Sequence, residues 1–206
     1  MTETRTAIVL AAGLSRRFGA NKLLADWNRK PLVSWAIASA CAAPVDQVYA
    51  VVGHDHEDVS AAISRYAERP VTCVFAPDFV EGMAASLKAG LDVLPEASTS
   101  TLIFLGDMPA IPVDISAALL SVLTPDHPAA APVYQGKRGH PAAFHRDIFP
   151  ILRKASGDKG AGFIFDELGE RWTRVACHDR GVVFDVDVPS ALPCETDTPD
   201  AYSNFI

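Results

Sequence analysis

The chain has 206 residues, 49% of them hydrophobic, and a formal net charge of −7 from 18 Lys and Arg against 25 Asp and Glu. That length suits one domain, or one domain with an elaboration, and the apolar content supports a packed core rather than disorder. An acidic chain is a poor partner for nucleic acid, because sequence-independent affinity for phosphate backbones comes from basic surface. Cys41, Cys73, Cys177 and Cys194 stand too far apart for a metal clip and read as apolar filler. The first residues are polar and no apolar run approaches the ~20 residues that span a bilayer. The expected location is therefore the cytoplasm, with no membrane partner.

Short apolar runs alternate with segments of helical spacing. Strands are expected at 6–11, 47–52, 71–75, 101–105 and 129–133, and helices at 31–41, 57–66, 82–94 and 115–123. Pro31 suits the first turn of its helix. This rhythm predicts an α/β fold: one Rossmann-like domain with a mostly parallel sheet flanked by helices. In such sheets ligands bind at the carboxyl ends of the strands, so the loops after 6–11 and 101–105 should share one edge. Beyond Tyr134 the rhythm loosens, and apolar runs resume at 172–177 and 182–186.

Residues 9–22 read Val-Leu-Ala-Ala-Gly-Leu-Ser-Arg-Arg-Phe-Gly-Ala-Asn-Lys. Gly13 and Gly19 allow sharp turning and close approach to a ligand. Arg16, Arg17 and Lys22 could neutralise phosphate. The loop is neither a Walker A motif nor Gly-x-Gly-x-x-Gly, and on its own residues it reads either as a phosphate cradle or as a solvated turn. Asp107, in Phe-Leu-Gly-Asp-Met-Pro, ends a buried strand, where it could ligate magnesium or simply cap a turn. Asp185 and Asp187 fall at i, i+2, on one side of an extended segment. Paired carboxylates repel unless a cation lies between them. A rival acidic string follows at 195–200 with Asp197, but the apolar run 182–184 gives the earlier string a strand, which favours Asp187.

The first loop resembles the Leu-Ala-Ala-Gly-x-Ser-x-Arg-Met-Gly-x-x-Lys signature of the MobA-like nucleotidyltransferases, with Phe18 in place of Met. That family has a GT-A-like Rossmann fold and includes the molybdenum cofactor cytidylyltransferases. The resemblance implies that the backbone of Leu10, Ala11, Ala12 and Gly13 contacts the base. Ser15, Gly19 and Lys22 also match the signature, and Arg17 and Lys22 would hold the triphosphate and act in catalysis. Arg16 falls at a variable position. Asp107 lies in a string similar to the family's Gly-Asp-x-Pro, which makes it a catalytic metal ligand. The string around Asp187 is similar to the family's second metal half, although Val188, Ser190 and Ala191 depart from it. Gly82 and Ser86 resemble a segment near the base and ribose, and Gly53, which closes the second strand, joins the nucleotide-binding set. His140, in Gly-His-Pro, and Asp158 and Lys159, in Gly-Asp-Lys-Gly, resemble acceptor-side segments. A helix expected to begin at Gly160 would favour a bound phosphate there.

The likeness runs over about residues 6–192. It implies a nucleotide-binding part at about 6–125, an acceptor part at about 129–192 that also carries the second metal ligand, and a tail at 193–206. It further implies Mg²⁺, with Mn²⁺ as a substitute, an NTP donor and a molybdopterin-type acceptor, with a molybdoenzyme receiving the product. Leu-Ala-Ala-Gly, rather than Leu-Ala-Gly-Gly, leans toward CTP. The competing readings are guanylyl transfer, transfer to another phosphorylated small molecule, and a non-catalytic cofactor carrier. A carrier has no need of Asp107 and Asp187 together. An NAD-dependent oxidoreductase lacks its glycine fingerprint here.

Overall fold

The computed structural model describes residues 3–15 and 18–187, apart from the Lys159 side chain. Its centre is β1 (Thr4–Ala11), a strand with six consecutive buried residues. Such a run needs cover on both faces, and the alternation of side chains supplies two separate demands. Ala7, Val9 and Ala11 pack into one core, while Ile8, Leu10 and Ala12 pack into another. Helices α1 (Leu32–Ala42), α2 (His56–Tyr66) and α4 (Ile115–Ser121) cover the first face. Helices α3 (Met83–Asp92), α5 (Phe149–Leu152) and α6 (Phe163–Leu168) cover the second.

Strand β1 is flanked in parallel by β4 (Gln47–Val52) and β6 (Ser98–Leu105), and β5 (Val71–Phe75) extends the β4 side. Beyond β6 the sheet continues through β9 (Ala142–His145), β7 (Ala129–Tyr134) and β10 (Trp172–Ala176). Strand β9 runs antiparallel to both its neighbours, and β10 is parallel to β7. The short β8 (Lys137–Arg138) pairs with β7, and β2 (Asp26–Trp27) with β3 (Lys30–Pro31) forms a separate two-stranded ribbon. The result is the single, mostly parallel α/β domain expected from the sequence.

Two local expectations are corrected. The apolar run 182–184 is not a strand: Arg180–Val183 is a 3₁₀ turn, and an extended segment follows it. The Asp179 carboxylate accepts from the Gly181 N–H at 2.7 Å, which starts the turn, and the Val182 carbonyl is taken by the His140 N–H instead of by a ladder. Nor does a helix begin at Gly160, whose φ of 51° breaks the turn Gly157–Gly162; α6 starts at Phe163. Cys41, Cys73 and Cys177 are free thiols, and Cys41 is buried. Among the described residues no helix is long and apolar enough to cross a membrane.

Helix α3 lies close against the sheet because Gly90 has no side chain. A Cβ there would stand 2.9 Å from Ile8 Cγ2 and 3.0 Å from Val51 Cγ2. Gly90→Leu should overpack this contact and cost about 2 kcal/mol. That corresponds to a fall in Tm of roughly 5 °C for a domain of this size, measurable by calorimetry; an unchanged Tm would refute the close packing.

Candidate active site

A cleft of about 590 Å³ opens at the carboxyl ends of β1 and β6. Its two central loops are tied together by backbone, with the Gly106 N–H donating to the Leu10 carbonyl at 2.9 Å. Leu10, Ala12, Gly13 and Ser15 line it from the first loop, Lys22 from the turn Lys22–Leu24, and Asp107 from the loop after β6. The root of Lys22 is fixed twice. Its N–H donates to Ser15 Oγ at 3.1 Å, and the preceding Asn21 caps the turn through the Leu23 N–H.

Asp185 and Asp187 complete the wall from the opposite end of the chain. Between them, the Val186 N–H donates to the Asp107 carbonyl at 3.0 Å. Because side chains alternate along extended backbone, the side chain of Val186 turns into the core against Trp27 and Leu32, and both aspartates turn toward Asp107. Carboxylate oxygens of Asp107, Asp185 and Asp187 all lie within 4.8 Å of one another. Lys22 Nζ sits among them, 2.7 Å from Asp107 Oδ2 and 3.0 Å from Asp187 Oδ1.

The electrostatics follow from this crowding. Burial works to lower the Lys22 pKa, but the charges of Asp107 and Asp187 outweigh it and hold the ammonium above its ordinary value. The Asp185 carboxyl is pushed up, first by burial and then by the charges of Asp187 and Asp107. One lysine therefore leaves the cluster with excess negative charge. Three convergent carboxylates at an open cleft are the hard oxygen donors that a divalent cation takes.

A further lip of the cleft is of mixed character. Phe79, Val80 and Met83 line it beside Glu81, Gly82 and Ser86, and Val80 is 59% exposed. Gly82 is at φ 115°, and a Cβ there would lie 2.5 Å from Asp158 Oδ1. Asp158 also lines the cleft, next to this lip. Gly53 stands back from the wall: a Cβ there would meet Phe79 Cγ at 2.6 Å, so its bareness makes room for the lip. Ala11 is buried in the core. Gly19, at φ 77°, lies on the exposed outer bend of the loop, and Lys159 belongs to the turn Gly157–Gly162. Arg17, Asp197 and the tail at 193–206 lie outside the described residues.

His140 is not among the residues lining the cleft. Its Nδ1 is sealed from solvent without a partner, and burial pushes its pKa down, leaving it neutral. Its backbone N–H instead anchors the segment that carries Asp185 and Asp187, by donating to the Val182 carbonyl at 2.7 Å. Glycines on both sides of this segment permit the approach. A Cβ on Gly139 would overlap the Val182 carbonyl, and one on Gly181 would overlap the Ala110 carbonyl. Asp185, the lip residues and this glycine clamp are what the sequence reading left without a role. Only Asp185 carried a signal, its i, i+2 spacing.

Residues 7–172 match the model of the MobA-like NTP transferase domain. The chain belongs to that family. It is 26% identical over 186 residues to the molybdenum cofactor cytidylyltransferase of Escherichia coli strain K12, covering 88% of this chain and 90% of the relative. It is 27% identical to the purine catabolism protein PucB of Bacillus subtilis strain 168, covering 88% and 91%. A crystal structure from Mycobacterium tuberculosis H37Rv superposes with a TM-score of 0.79 at 28% identity, covering 91% and 95%. A structure of a protein from the same strain in complex with manganese gives 0.69 at 26%, covering 97% and 96%. This chain is a nucleotidyltransferase by family.

Two predictions follow from the clamp. Gly181→Ala should displace Asp185 and Asp187 and lower divalent-cation affinity about 10-fold or more, since changes to the groups that orient metal-binding side chains commonly cost 10–100-fold; calorimetric Mn²⁺ titration in the presence of a non-hydrolysable CTP analogue, with unchanged affinity, would refute the clamp. For His140, the unfolded chain takes up a proton near pH ~6.5 that the folded protein resists. Its stabilising contribution is thus present above about pH 6.5 and is lost as pH falls toward the lower folded value. His140→Gln should flatten the fall in Tm on the acid side, and an equally steep fall would contradict this.

Proposed function

We propose that the protein transfers a nucleotidyl group from an NTP, with CTP favoured, to the terminal phosphate of a molybdopterin-type acceptor, releasing pyrophosphate. The observation that carries this reading is the meeting of Lys22 with Asp107, Asp185 and Asp187 at one wall of a cleft that Phe79, Val80 and Met83 also line. The E. coli relative supports the choice of acceptor and base. The manganese complex of the mycobacterial neighbour supports a divalent cation.

In this reading Leu10, Ala12 and Gly13 present backbone to the base, while Phe79, Val80 and Met83 cover its apolar face and Ser86 meets the ribose. An acceptor phosphate oxygen attacks the α-phosphorus in line. The bond from that phosphorus to the β-bridging oxygen breaks, and pyrophosphate departs with the electron pair. The acceptor phosphate is already ionised near neutral pH, so the chain supplies no general base. Lys22 neutralises charge developing on the leaving group, a role we also assign to Arg17. Asp107 and Asp187, with Asp185 adjoining, would hold Mg²⁺, which supplies Lewis-acid stabilisation of the phosphoryl oxygens. Asp158 and Lys159 flank the acceptor side. His140 acts through the Val182 segment rather than by touching the acceptor.

A second reading keeps the chemistry and changes the acceptor, because the B. subtilis purine catabolism relative is as similar over as much of the chain. Pyrophosphate release measured with each of the four NTPs, Mg²⁺ and the pterin cofactor separates the readings. CTP should give the fastest release, and no pterin-dependent release with any NTP would overturn the proposed acceptor. Asp107→Asn should lower kcat about 10²–10³-fold, the scale of losing one charge-stabilising group, with Tm little changed. Full activity in this variant would remove Asp107 from the reaction.

A further inference from the structure

We propose that Lys22 occupies, in the cation-free protein, the position a divalent cation takes in the loaded one, so that the site accepts its cation together with the triphosphate and not before it. This rests on the metal-dependent reading above.

The geometry states the competition directly. The ammonium lies 2.7 Å from Asp107 Oδ2 and 3.0 Å from Asp187 Oδ1, two of the three acids whose oxygens converge within 4.8 Å. A cation bound at about 2.1 Å from those same oxygens would fall within about 5 Å of Nζ by the lengths of the two contacts. Like charges that close, in a half-buried pocket, exclude one another. The lysine also leaves the exchange incomplete, because three carboxylates with one ammonium keep two negative charges, whereas a divalent cation in its place leaves one.

The displaced ammonium has somewhere to go. The backbone of Lys22 is held by Ser15 and by the Asn21 cap, so only the flexible four-carbon stem moves. From that root the tip sweeps the same cleft wall that Gly13 and Ser15 form, where a triphosphate would lie. A triphosphate thus does two things at once: it completes the coordination of a cation that binds few protein carboxylates, and it gives the ejected ammonium a new anionic partner. Without a nucleotide, a cation would have to strand the lysine, and Lys22 keeps the site closed to it.

The test is Mn²⁺ binding followed by electron paramagnetic resonance of the free ion, without turnover. Without nucleotide, Lys22→Met should bind Mn²⁺ about 10-fold or more tightly than the parent protein, within the usual range of coupling between linked ligands. Lys22→Arg, which keeps the charge, should stay with the parent. A non-hydrolysable CTP analogue should tighten Mn²⁺ binding in the parent and do so far less in Lys22→Met. General damage to the fold would weaken binding, so a gain cannot arise that way, and Lys22→Ala repeats the test if the methionine variant folds poorly. If the parent binds Mn²⁺ with the analogue but Lys22→Met shows equal or weaker affinity without it, the inference falls and the metal site stands. If neither protein binds Mn²⁺ with or without the analogue, both fall.

Discussion

The site depends on one backbone hydrogen bond, from the Val186 N–H to the Asp107 carbonyl. It joins the loop after β6 to an extended segment almost eighty residues further along the chain. Since side chains alternate along that segment, the bond fixes the sides as well as the distance. Val186 goes into the core with Trp27 and Leu32, and the aspartates before and after it go to the cleft. The surroundings hold the bond in place. The Asp179 cap, the bare Gly139 and Gly181, and the His140 N–H all fix the turn that leads into it.

The fold was legible because its signal is local. The apolar run of β1 and the alternation of strands with helices of matching spacing announce a parallel sheet. Asp107 was legible for the same reason, as an acid immediately after a buried strand. Residues 182–184 misled because an apolar run does not state its partner. The Val182 carbonyl accepts from the His140 N–H and the Phe184 N–H donates to the Gly181 carbonyl within the turn, rather than to a neighbouring strand. The antiparallel β9 and the break at Gly160 are likewise set by distant contacts, with β6 and β7 in one case and Met83 in the other. Gly139 and Gly181 matter for what they lack, and that is visible only once Val182 and Ala110 lie against them.

Electrostatics connects this construction to chemistry. Three acids drawn together by backbone geometry repel, and the Asp185 carboxyl, pushed up first by burial, is pushed up further by that repulsion. Lys22 answers part of it, and its own raised pKa is the reciprocal sign of the same field. A site strained toward excess negative charge favours the arrival of cations, and a nucleoside triphosphate delivers one along with the anionic groups that the lysine can then hold. Phe79, Val80 and Met83 bring apolar surface to the same cleft.

The most direct test of this account is a crystal structure grown with Mn²⁺ and a non-hydrolysable CTP analogue, with the ion located by its anomalous scattering. The account predicts an ion bounded by the carboxylates of Asp107 and Asp187, with Lys22 Nζ moved from them onto the phosphates. An ion located away from Asp107, or one bound beside a Lys22 still paired to both acids, would contradict it.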